Sequence, residues 1–151
     1  MKHKVINIDF ELIKSIWNKY LWPNRKSEIK SHSSMTLDDS YNMNIYNSLA
    51  SYWGISYDGQ IVGCNSGFKT DKYHYRSRGL WVSKEFRNKG LSKQLFNALF
   101  NQAIYEQCKY VWSIPRMKSL YAYLAVGFKQ VSEPFDKDME FGPNCYVIKE
   151  L

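Results

Sequence analysis

Two spacings of apolar residues recur along the chain and divide it into elements. Spacings of three and four mark helices. Phe10, Ile13, Ile16, Trp17 and Tyr20 share one helical face, with Asp9 placed to cap the helix and Pro23 to close it. Leu91, Leu95, Phe96, Leu99, Phe100, Ala103 and Ile104 describe a longer helix with one buried face. Tyr41, Ile45 and Leu49 predict a weaker helix, and residues 119–125 a short one stopped at Gly127. Compact runs rich in aromatic and β-branched residues mark strands at 4–8, 51–57, 60–68, 73–82, 109–114, 128–131 and 144–148. Asp58-Gly59 lies between two of these runs and predicts a tight antiparallel hairpin. Pro115 halts the strand that follows the long helix.

The order is strand, two helices, hairpin, strand–helix–strand, helix and two strands. The strands at 73–82 and 109–114 are joined by a single helix, so they should lie parallel with a right-handed crossover. This predicts a mixed sheet covered by helices, in a single domain spanning all 151 residues, without internal repeats.

With 44% hydrophobic and 23% charged residues the composition is globular, and no apolar run approaches a membrane span. The N-terminal residues lack the apolar block of a secretory signal. Cys64, Cys108 and Cys145 are odd in number and scattered, which favours reduced core thiols in a cytoplasmic setting over disulfides or a metal centre. The net charge of +7 together with many aromatic residues admits two kinds of partner. One is nucleic acid, stacked on the rings, although no RNA-recognition or helix-turn-helix signature accompanies the charge. The other is a polyanionic small ligand.

The turn Arg87-Asn88-Lys89-Gly90-Leu91-Ser92 sits between a strand and the long helix. The first turn of a helix has unpaired N–H groups and the positive end of the dipole, so anions bind there. Gly90 allows close approach, Ser92 adds a hydroxyl, and Arg87, Lys89 and Lys93 add charge. The same composition also suits an ordinary solvent-facing loop. Residues 24–34, with Arg25, Lys26, Lys30 and His32, read as a solvated connection or a lid over a site. Asp136, Asp138 and Glu140, near Phe135 and Phe141, form either a solvated loop or an acidic-aromatic surface for a cationic amine.

This order, with these residues in these places, resembles the GNAT superfamily of acyl-CoA-dependent N-acetyltransferases. One family mark is Arg/Gln-x-x-Gly-x-Gly/Ala opening a helix after the fourth strand, here Arg87 to Ser92. The other is Asn-x-x-Ala-x-x-Phe-Tyr-x-x-x-Gly-Phe after the fifth strand, here the run from Arg116 to Phe128. Tyr123 and Gly127-Phe128 match it, whereas Arg116, Ser119 and Ala122 depart from it.

The resemblance implies an α/β (α+β) fold: a mixed, mostly antiparallel sheet with helices on both faces and a parallel strand pair that splays. It implies that acetyl-CoA is the cofactor, with its pyrophosphate on Arg87, Asn88, Lys89, Gly90, Leu91 and Ser92. Trp81 and Val82 would pair through the main chain with the pantetheine arm, and a backbone N–H near Val82 would hold the oxyanion. Arg116 stands where asparagine contacts the cofactor, and its guanidinium would reach phosphate instead. Tyr123 would be the general acid. No carboxylate lies on residues 73–82, so His74 or a water chain is the expected base. Arg76 and Arg78 alternate on that strand, either facing solvent or selecting an anionic acceptor. The acceptor would be the amine of a small molecule or peptide, and the protein a monomer or homodimer. A cofactor-binding protein without catalysis is the alternative.

Overall fold

The computed structural model describes residues 3–32, 48–137 and 139–151. Its strands are β1 (Lys4–Asn7), β2 (Ser51–Tyr57), β3 (Gln60–Lys69), β4 (His74–Val82), β5 (Tyr110–Ser113), β6 (Lys129–Gln130) and β7 (Val147–Glu150). They form one sheet in the order β1-β2-β3-β4-β5-β7-β6. Neighbouring strands are antiparallel except β4 and β5, which run parallel. The helices are α1 (Phe10–Ile16), α2 (Leu91–Tyr105) and α3 (Leu120–Leu124).

Each face of the sheet has its own core. On one face Leu95, Phe96, Leu99 and Ala103 of α2 close over Ile55, Val62, Tyr75 and Val111, with Tyr123 of α3 in the same cluster. On the other, Ile13, Ile16 and Trp17 pack with Ile29, Cys64 and Trp81. The predicted mixed sheet with helices on both faces is therefore observed. Cys64, Cys108 and Cys145 are free, buried thiols.

Local chemistry accounts for most boundaries. The Asp9 carboxylate accepts the Leu12 N–H at 2.8 Å and starts α1. The helical path predicted through Tyr20 persists, but from Trp17 to Leu21 it widens into π-type hydrogen bonding and stops ahead of Pro23. The 58–59 turn joins β2 to β3 as expected. Asn144 belongs to a loop and not to β7, because its N–H and C=O both bond Phe135 at 2.8 Å. Of the second predicted helix, Tyr41 and Ile45 lie outside the described residues, and Leu49 is exposed in an irregular segment.

One irregularity in β4 decides which face its side chains take. Between the pairs Ser66–Arg78 and Cys64–Trp81, β3 advances two residues while β4 advances three. The extra residue is a bulge at Gly79–Leu80, with Gly79 at φ +81°. It inverts the alternation of side chains, so Arg76, Arg78 and Trp81 all lie on the α1 face. The Arg78 guanidinium accordingly lies over Trp17, and Trp81 shares a cluster with that ring.

Candidate active site

β4 and β5 pair only from His74–Tyr110 to Arg76–Trp112. Beyond that point the strands separate, and the Ser113 hydroxyl donates to the Ser77 carbonyl at 2.6 Å across the base of the fork. Among the described residues, no strand then lies beside the edge of β4 from 77 to 82 on this side. Ser83 N–H donates to Val62 O at 2.8 Å, flanking the Gly63–Val82 pair. In an antiparallel ladder that arrangement turns the N–H and C=O of Val82 away from β3, toward the fork. Arg87 Nε takes the carbonyl at 3.1 Å. The Val82 N–H is thus aimed into the gap between the splayed strands.

Two clefts open from this fork. The first is walled by Leu80, Trp81, Val82, Arg87, Asn88, Gly90, Leu91 and Ser92, with Arg116, Lys118 and α3 opposite. Its described lining holds three cationic side chains and no acidic one. Asn88 and Gly90 have φ of +62° and +78°, a left-handed turn geometry that gathers successive N–H groups around a concavity. Gly90 is the N-cap of α2, and no side chain caps the helix. A Cβ at Gly90 would meet nothing within 4 Å, so the space before the helix terminus is open. These features fit a polyanion such as a pyrophosphate.

The second cleft lies on the α1 face and is lined by Leu21, Trp22, Arg25, Arg76, Arg78, Arg116, Tyr123, Glu140 and Phe141, among others. Its volume is about 260 Å³, just under the size of drug-binding pockets, which favours a small occupant. Burial pulls Arg76 down to about 10, partly offset by Tyr123 and Tyr146, and pulls Arg78 down to about 9, so both remain charged at neutral pH. Tyr123 is buried, with its ring edge-on to Phe96 and Phe128. Burial lifts its phenol to about 12, while Ser113 and Arg76 pull the other way. The two clefts meet at Leu21, Leu80, Arg116 and Ser119, which line both.

The structure thus gathers Trp81, Val82, Arg87, Asn88, Gly90, Leu91, Ser92 and Arg116 around one cleft and puts Tyr123 on the adjoining one. Lys89 stands apart, its ammonium lying 5.3 Å from the centre of the Phe86 ring and outside the cleft lining. Arg116 does not simply replace an asparagine. Its Nη2 donates to the Leu21 carbonyl and its guanidinium covers Phe141, so it forms the wall common to both clefts.

His74 is a correction. It begins β4, eight residues before Val82 and therefore about 26 Å away along an extended strand. There it bonds Asp71 at 2.7 Å, stacks on Tyr110 and lines neither cleft. The acidic loop also differs from expectation. The Glu140 carboxylate accepts Lys26 N–H at 2.7 Å and the Ser27 hydroxyl at 3.1 Å, and these bonds hold its pKa below the usual carboxylate value. Asp138 lies outside the described residues. The same bonds dock the described part of the 24–34 loop as a wall of the second cleft, contributed by Arg25 and Ser27. Arg76 and Arg78, alternatives at the sequence level, are buried here and not solvent-facing.

Ser113 at the fork and the cleft-lining pair Leu21 and Trp22 were not singled out from the sequence. A glycine inside a strand pattern was the available signal for the bulge.

The sequence profile described as Acetyltransferase (GNAT) family matches residues 13–128. No curated protein matches the chain. Among solved structures, a putative N-acetyltransferase from Lactobacillus plantarum superposes with a TM-score of 0.71 at 13% identity, over 100% of this chain and 99% of that one. A GNAT-family acetyltransferase from Staphylococcus aureus Mu50 superposes at 0.68 and 15% identity, over 99% of each chain. A GNAT-family acetyltransferase from Elizabethkingia anophelis with acetyl-CoA bound superposes at 0.61 and 16% identity, over 99% and 98%. At these identities the superpositions establish the fold.

Proposed function

Because the chain belongs to the GNAT acetyltransferase family, we propose that it transfers an acetyl group from acetyl-CoA to the primary amine of a small molecule, a peptide amine being less suited to the size of the second cleft. The observation that carries this reading is the meeting of two clefts at Leu21, Leu80, Arg116 and Ser119. One has an open, uncapped helix terminus for an anion, and the other contains a buried, protonated phenol. The acetyl-CoA bound by the Elizabethkingia protein supports the choice of donor.

The N–H groups of the 87–92 turn would hold the pyrophosphate, with Arg87 and Lys118 adding charge to the same cleft. Bound there, acetyl-CoA supplies an activated thioester carbonyl and a sulfur that leaves as thiolate. The amine nitrogen attacks that carbonyl carbon; the new C–N bond forms as the C–S bond breaks. Val82 N–H would donate to the oxygen on which charge develops. Tyr123 would give its phenolic proton to the departing sulfur, and the proton that the nitrogen loses as the amide forms would return to the phenolate through water. The amine must arrive neutral. Among described residues Glu140 is the only carboxylate in the second cleft, and it is engaged with Lys26 and Ser27. The amine therefore gives up its proton to water, aided by guanidinium groups that disfavour a neighbouring ammonium.

Calorimetric titration with acetyl-CoA tests the reading. Saturable binding is expected, weakened about tenfold or more in Gly90→Glu, which places a carboxylate in the anion cradle. Gly90→Ala separates backbone strain from charge and should lose less. Absence of acetyl-CoA binding by the unaltered protein would overturn the proposal.

A further inference from the structure

The second cleft has an electrostatic character that the transfer reaction itself does not require. Arg25, Arg76, Arg78 and Arg116 all line it, against the single described carboxylate of Glu140. That carboxylate is exposed and serves the main chain at 26–27. Arg78 is 5% exposed and has no described carboxylate partner. It is held between aromatic surfaces, 5.0 Å from Trp17 and 5.1 Å from Trp22, and its Nη1 donates to Lys30 O at 2.6 Å. A guanidinium has five N–H donors, and the Lys30 carbonyl takes only one of them. Arg76 is 7% exposed and neighbours Tyr123, so the charge lies beside the reacting end of the cleft.

Burying the Arg78 guanidinium with no described carboxylate beside it is unfavourable unless something negative joins it. Its planar fork matches the two oxygens of a carboxylate or phosphate, and the flanking indoles fix it in advance of binding. The same charge repels a second ammonium group, which disfavours polyamines.

Resting on the acetyl-transfer reading, we infer that the acceptor is an amine bearing its own anionic group, a carboxylate or a phosphate, which Arg78 seats with help from Arg76 while the amine faces the fork. Anchoring and activation then have one origin, because the guanidinium groups that hold the anionic end also favour the neutral amine at the other.

A matched series tests this: phenylalanine, its phosphonate analogue 1-amino-2-phenylethylphosphonate, phenylalaninamide and phenethylamine. Each is titrated calorimetrically into the full chain, alone and saturated with acetyl-CoA. The two anionic probes should bind at least about tenfold more tightly than the two lacking a negative charge. Whichever anion is tighter distinguishes carboxylate from phosphate. Arg78→Met should largely erase the gap while acetyl-CoA affinity is retained, and Arg78→Lys, which keeps the charge but not the fork, should fall between. If Arg78→Met does not fold, the unaltered protein still decides the matter through the series. Equal affinity across the series, tighter binding of the uncharged-tail probes, or no binding by any member overturns the inference. Acetyl-CoA binding without anionic preference sinks this inference alone. Anionic preference without acetyl-CoA binding upholds the anion site and sinks the donor reading.

Discussion

The Trp17 indole N–H donates to the Gly79 carbonyl at 2.8 Å, joining the first helix to the bulge in β4 across 62 residues of sequence. That bond stands between the arginines and the part of β4 that carries Val82 along the first cleft. Gly79 has φ +81°, and a Cβ there would lie 2.3 Å from the indole. Gly79→Ala should therefore combine a left-handed strain with a clash and destabilise the protein by about 2–5 kcal/mol in denaturant unfolding. Trp17→Phe removes the strong donor and leaves the carbonyl only the weak Cys64 thiol at 3.7 Å, at about 1–3 kcal/mol. A Gly79→Ala variant as stable as the parent would refute this account of the bulge.

The elements were legible because each was written locally. Asp9 caps, Pro23 stops, Asp58-Gly59 turns, and the long helix has one consistent apolar face. The lining of the two candidate clefts was legible only where it is local too, at most of the 87–92 turn and at Tyr123. The bulge was not, since one extra residue in β4 shows only in its register with β3. Arg76 and Arg78 alternate in sequence like a solvated edge. What buries them comes from elsewhere: Trp17 and Trp22 from the first helix and its end, and Trp112 from β5. His74 fails as a base for the opposite reason. Its residue type suited the role, but its place at the start of the strand did not.

Tyr123→Phe keeps the ring that packs on Phe96 and Phe128 and removes only the hydroxyl. If the phenol protonates the departing sulfur, kcat should fall by about 10²–10⁴-fold with acetyl-CoA affinity unchanged. The phenol is raised from 10.0 to about 12, so its favourable contribution is complete below pH 10 and is lost as pH rises through 12. The parent should accordingly lose stability relative to the Phe variant between pH 10 and 12. Unchanged turnover by the variant would remove Tyr123 from the mechanism.

Glu140 gives the opposite dependence. Its pKa is lowered, first by the bond from Lys26 N–H and then by Ser27 and Arg25. The anchoring is present above the ordinary carboxylate range and lost as pH falls through the depressed folded value. Glu140→Gln should release the 25–27 wall, raising the acceptor KM with little change in kcat. Protection of the Lys26 amide, taken relative to its intrinsic exchange rate at each pH, should fall in the variant at neutral pH, and in the parent only on acidification. Equal exchange rates in both proteins at neutral pH would contradict the anchoring role.

Arg116 separates a cofactor ligand from a shared wall. A residue touching only the donor would, when removed, raise the KM for acetyl-CoA and leave that of the acceptor alone. Here the guanidinium donates to the Leu21 carbonyl, covers the Phe141 ring at 5.0 Å and lines both clefts. Arg116→Ala should therefore raise both KM values, because Leu21 and Phe141 lose the group that holds them together at the junction. Arg116→Lys keeps the charge but cannot both reach the carbonyl and cover the ring as a planar fork does. It should recover donor affinity more than acceptor affinity. A change confined to acetyl-CoA would return Arg116 to the simple role of a phosphate ligand and leave the junction to Leu80 and Ser119.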